Sequence, residues 1–161
     1  MSRRYYIDLD VLSRLFDEAK TEKVARQKAL SAEIHKLISD GKIDCISSEP
    51  LKREAELIPH PIKRGWLFDL FKKPGFSRCV WTTQKIKELR DKLAAKCGFP
   101  VEDLVDALHI TIAAAASAER FLTFNEKHFI HGGRKKCIEN FFKKEISHAI
   151  EIIVPKDAST L

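Results

Sequence analysis

Long apolar runs are missing from this chain. Its longest nearly uncharged stretch, Leu108 to Ala118, is too short and too rich in alanine to span a bilayer. The opening Met-Ser-Arg-Arg-Tyr-Tyr-Ile-Asp has no secretory apolar segment. A cytoplasmic protein with no membrane association is therefore expected. Cysteine is sparse and scattered, at 45, 79, 97 and 137, with no Cys-x-x-Cys pair. That spacing argues against a zinc ribbon and leaves buried free thiols as the reading. His128 and His131 stand three apart, but the adjoining Gly132-Gly133 places them in a loop rather than on a metal-binding helix. No glycine-rich phosphate loop follows the first β-like run, which argues against a doubly wound nucleotide binder. Internal repeats and low-complexity segments are absent as well.

What is present describes an ordinary globule. The 161 residues, 44% hydrophobic and 32% charged, suit one domain with its own core. We expect that domain to cover 1–155, with 156–161 as a frayed tail. The net charge of +6 favours polyanionic partners. Basic residues gather as Arg3-Arg4, Lys63-Arg64, Lys72-Lys73, Arg134-Lys135-Lys136 and Lys143-Lys144. Beside a cluster of acids, such cations could hold the phosphate backbone that the acids repel.

Short β-type runs alternate with helical periodicity. Strands are expected at 4–7, 43–46, 79–83, 120–123 and 148–154, and helices near 12–16, 24–38, 49–57, 84–96, 101–118 and 134–144. That alternation implies parallel pairing in an α/β fold. Ser47-Ser48 suits a helix cap, and Gly98 with Pro100 separates two helices. The stretch 59–77 breaks the rhythm: Trp66, Phe68, Phe71 and Phe76 lie among Lys63, Arg64, Lys72, Lys73 and Arg78. It reads as a short amphipathic helix whose rings fill the core or a dimer seam, with base stacking as the alternative.

Acids at two strand edges carry the functional signal. Asp8 and Asp10 close the first run, Arg4 to Ile7. Glu102, Asp103 and Asp106 open the alanine-rich helix, where helix capping is the plainer role. A buried strand ending in carboxylates near other carboxylates needs a compensating cation, and oxygen ligands suit a hard divalent one.

Tyr5-Tyr-Ile-Asp8-Leu-Asp10-Val-Leu12, Asp106-Ala-Leu-His109-Ile and Phe121-Leu-Thr-Phe-Asn-Glu-Lys-His-Phe129 together resemble the PIN-domain family over nearly the whole chain. The resemblance implies a three-layer α/β/α sandwich with a central, mostly parallel sheet of about five strands. It implies a ribonuclease dependent on Mg²⁺ or Mn²⁺, with Asp8 and Asp106 as metal ligands and a glutamate of the third helix beside them. Glu54 matches the spacing of that glutamate and Glu49 competes with it. The fourth acid of the family's pattern is replaced by Asn125, which ligates weakly and adds no charge. Glu126, Asp103 or Asp10 could compensate, although Asp10 could equally cap the following helix, and Thr123 would orient the site through its hydroxyl. His109 is read as a structural histidine and left outside the site. Lys63, Arg64, Lys72, Lys73, Arg134 and Lys135 are the RNA-binding candidates. An antitoxin protein and a second copy of the chain are candidate partners. The alternative is a PIN-like module that holds RNA or protein with an inactive metal site.

Overall fold

The structure is a computed structural model and describes residues 3–161. Five strands, β1 (Arg4–Ile7), β2 (Asp44–Ser48), β3 (Phe76–Val80), β4 (Arg120–Leu122) and β5 (Glu151–Ile153), form one sheet in the order β3-β2-β1-β4-β5. Every neighbouring pair is parallel. Eight helices join and cover them: α1 (Leu9–Ser13), α2 (Glu22–Ser39), α3 (Glu49–Glu56), α4 (Pro61–Phe71), α5 (Gln84–Cys97), α6 (Leu104–Ala115), α7 (Glu126–Phe129) and α8 (Arg134–Ile146).

The two-residue period of the strands sorts their side chains into two cores. Tyr6, Ile46, Phe121 and Ile152 face α5, α6 and α8, while Tyr5, Ile7, Cys45 and Leu122 face α1 to α4. Both faces are buried, as an all-parallel sheet requires. This is the three-layer α/β/α sandwich expected from the sequence. Alanines 107, 113, 114 and 116 lie buried against the sheet, where small side chains allow α6 a close approach.

Local chemistry sets the boundaries. Ser48 caps α3 by accepting from Leu51 N (3.2 Å), and Gly98, at φ 72°, closes α5. The third strand lies earlier than expected. Thr83 is taken as the cap of α5, accepting from Ile86 N at 3.2 Å, and Trp81 is left 70% exposed, so the run after Val80 leaves the sheet. Gly75 is required by close approach: its N–H donates to Ile38 O at 2.8 Å, and a Cβ there would lie 2.6 Å from the Ile38 Cα. Gly75→Ala should lower stability by about 1–3 kcal/mol in urea denaturation, the usual cost of overpacking.

Two other expectations are corrected. Cys97 and Cys137 are joined in a disulfide between α5 and α8, while Cys45 and Cys79 are free. Helix packing brings two thiols 40 residues apart to a Cα separation of 5.8 Å, a proximity that spacing alone does not carry. Cys137→Ser should lower stability by up to about 4 kcal/mol if closing the loop acts through unfolded-chain entropy; equilibrium unfolding with and without reductant checks this. The segment past Pro155 is not frayed: it folds back so that Leu161 O accepts from Tyr5 Oη and Arg120 Nη1.

The aromatic stretch resolves into α4 and β3. Phe68, Phe71 and Phe76 meet edge to face in the core, and Trp66, 51% exposed, leans on Phe16. Three of the four rings thus serve packing rather than base stacking. Among the described residues, no helix is long and apolar enough to cross a membrane.

Candidate metal centre

Connections leave β1 toward β2 on one side and return to β4 on the other, so the strand order reverses between β1 and β4. At such a switch point the carboxyl ends of the strands open a crevice. Asp8 stands at this edge, one residue past β1, with its N–H donating to Leu122 O at 2.9 Å. Its buried carboxylate accepts from Leu9 N and from Thr123 Oγ1, each at 2.9 Å. Thr123 Oγ1 in turn accepts from Asn125 N at 3.0 Å, so the residue after β4 orients both. Asp10 reaches across the same gap and accepts from Phe124 N at 3.2 Å, tying the start of α1 to the loop after β4.

Glu54 enters from α3 and Asp106 from the first turn of α6. His109, fully buried one turn after Asp106, gives its Nε2–H to Glu54 Oε1 at 2.9 Å. Its Nδ1 meets Tyr6 Oη at 2.6 Å, and Tyr6 Oη meets Ser48 Oγ at 2.6 Å. Asp106 Oδ2 lies 2.5 Å from His128 Nδ1. Asn125 caps α7 through Oδ1, which accepts from His128 N at 3.1 Å, and its Nδ2 lies 2.9 Å from the same His128 Nδ1. One ring nitrogen cannot both donate to Asp106 and accept from Asn125. The carboxylate, being the shorter and charge-assisted partner, takes the proton. Asp103, Asp106 and His128 offer ligand atoms within 4.8 Å of one another and could hold a metal ion.

The acids strain one another. Burial lifts the Asp8 carboxyl to about 6, the charges of Glu54 and Asp106 push the same way, and His109 with the Thr123 hydroxyl offsets only part. Asp10 rises to about 8, through burial first and the charge of Asp8 second. Burial also raises Asp106, against the hydrogen bond and charge of His128. Burial alone would lower His109, but the bond to Glu54 and the charges of Glu54, Asp8 and Asp106 leave it raised. Burial and like charge disfavour ionisation of these carboxyls, a cost that a hard divalent ion would offset, and the oxygen-rich donor set suits such an ion.

Asp8, Glu54 and Asp106 feel one another's charge, but among the described residues the acids and histidines with ligand atoms within 4.8 Å of one another are Asp103, Asp106 and His128, a group that includes neither Asp8 nor Glu54. Glu49 instead pairs with Arg53 at 2.7 Å. Asn125 is engaged as a helix cap beside Thr123, and Glu126 lies in the first turn of α7. Two histidines that sequence reasoning set aside, His109 and His128, carry the hydrogen bonds to the acids. The three-residue step from Asp106 to His109 was the available signal for the first. His128 had only its three-residue distance from the cap Asn125.

The basic candidates divide. Lys72 and Lys73 are exposed at the end of α4. Lys63 lies 3.7 Å from Asp17, and Arg64 donates to Ile58 O at 3.0 Å. Arg134 stacks on Phe99, donates to Gly98 O and His128 O, and stands 4.0 Å from Asp103. Lys135 donates to Glu139 at 2.6 Å and Ile152 O at 2.8 Å. Arg134 and Lys135 thus hold the molecule together at one border of the site.

No protein-family profile matches the sequence, and no curated protein does. Among solved structures, the fold is similar to the crystal structure of FitAcB from Neisseria gonorrhoeae, with a TM-score of 0.55 at 14% identity. The likeness takes in 94% of this chain and 97% of that one, and at such identity it is a likeness of fold.

Proposed function

We propose that this chain is a metal-dependent endoribonuclease whose site is built from Asp8, Glu54 and Asp106. The observation that carries the reading is the convergence of the three acids at the strand-order reversal, where Asp8 is buried and the charges of Glu54 and Asp106 raise it further. The PIN resemblance of the sequence and the sandwich fold agree with it. The carboxylates of Asp8, Asp106 and Glu54 would hold Mg²⁺ or Mn²⁺, which when bound lowers the pKa of a water and neutralises charge on a phosphodiester. Thr123 keeps the Asp8 carboxylate turned toward the crevice. His128 does the same for Asp106, whereas Lys72 and Lys73, between α4 and the start of β3, lie at the sheet edge opposite the crevice. By the resemblance, an antitoxin protein is the partner that would restrain such an enzyme.

A second reading, an RNA- or protein-binding module with a silent site, is favoured by Asn125: its amide oxygen is taken up in capping α7, accepting from His128 N, and contributes no charge. Incubating the chain with single-stranded RNA in Mn²⁺ or in chelator separates the two. Cleavage that chelator stops supports the enzyme, and RNA retention without cleavage in either condition supports the module.

A further inference from the structure

We infer that His109 is a positioning residue that fixes the Glu54 carboxylate in the metal site, within a hydrogen-bonded rod that leaves the cap of α3 and returns to the same helix. This inference rests on the ribonuclease reading. Among the candidate ligands, Asp8 is clamped by Thr123 and Leu9, and Asp106 by His128. Glu54 has the longest side chain of the three, is partly open to solvent, and among the described residues its hydrogen bond is to His109. A glutamate free to change rotamer loses much of its ligand geometry, so its partner decides whether the site is preorganised.

His109 is built for that task. It is fully buried, so each ring nitrogen must find a protein partner, and each does. Nε2–H donates to Glu54 whichever charge state the ring adopts. Nδ1 is pinned by Tyr6 Oη, Tyr6 by Ser48 Oγ, and Ser48 by the N–H of Leu51 in the first turn of α3. The rod therefore starts and ends on α3: Ser48 caps the helix that carries Glu54. In between it passes through a β1 tyrosine and an α6 histidine, which belong to the opposite layer. The ring cannot turn, because both ends are held.

His109→Asn and His109→Gln separate positioning from packing. The asparagine amide sits near the place of Nδ1 and keeps Tyr6 but falls short of Glu54, whereas the glutamine amide reaches toward Glu54. In H109N, the Mn²⁺ dissociation constant should rise and kcat on single-stranded RNA should fall, each about 10-fold to 100-fold, the range for lost outer-shell partners. H109Q should stay within about threefold of the parent in both. Tyr6→Phe, which frees Nδ1 and Ser48 Oγ but leaves Nε2–H on Glu54, serves as a second variant if H109N does not fold, and should weaken Mn²⁺ binding by about threefold to 10-fold, less than H109N. Unchanged Mn²⁺ affinity in H109N or in Y6F, or an H109Q as impaired as H109N, overturns the positioning role while leaving the enzyme reading intact. A parent chain that neither binds Mn²⁺ nor cuts overturns the enzyme reading, and the positioning role falls with it.

Discussion

Raising the pH of the metal-free chain from about 5 to about 8 should lower its stability by on the order of 5 kcal/mol, and Mn²⁺ should restore most of the loss. The sign follows from the direction of the shifts. A carboxyl whose folded-state pKa lies above its unfolded value favours folding while protonated. That contribution is complete below the ordinary carboxylate range and drains away as pH climbs through about 6 for Asp8 and about 8 for Asp10. His109 works in the same direction, because a raised imidazole also stabilises the fold at low pH and loses that contribution as it deprotonates. Bound Mn²⁺ reverses the slope, since it prefers the ionised acids that desolvation opposes. Urea titrations across this pH range, with chelator and with Mn²⁺, give the curve. A metal-free stability that is flat or rises with pH would show that these acids are not held up by burial and by one another.

Asp8→Asn should reduce metal-dependent RNA cleavage by about 100-fold or more, the scale for removing one preorganised electrostatic partner. The same change should stabilise the metal-free fold at about pH 8. The two effects have one cause. The amide oxygen of the introduced side chain can accept from Leu9 N while Thr123 Oγ1 turns to accept from its Nδ2, so the shape is kept, but the buried negative charge that burdens the apo site and attracts the ion is gone. Asp106→Asn should lose cleavage to a similar extent and gain less stability, because Asp106 is more open and its carboxylate is already partnered by His128. A gain in stability with lost cleavage also guards against the trivial explanation that a variant is merely unfolded. Full cleavage by both variants would remove these acids from the chemistry.

The alternation of β-type runs with amphipathic stretches was legible without coordinates, because a buried parallel strand and a core-facing helix each impose a period on hydrophobicity. Asp8 could be placed because it closes a strand, and Asp106 because it opens a helix; both are local facts. Glu54 and Glu49 part company only once α3 lies against α6, where one meets His109 and the other turns to Arg53. The disulfide between Cys97 and Cys137, the clamp of Thr123 on Asp8 and the approach of His128 to Asp106 belong to the same class. What the sequence determined alone was therefore the set of elements and the acids at their ends, through periodicity and capping, which act over a few residues. Tertiary structure alone decided which distant side chains share protons and charge, because those interactions depend on separations of a few ångström between segments that the chain order leaves tens of residues apart.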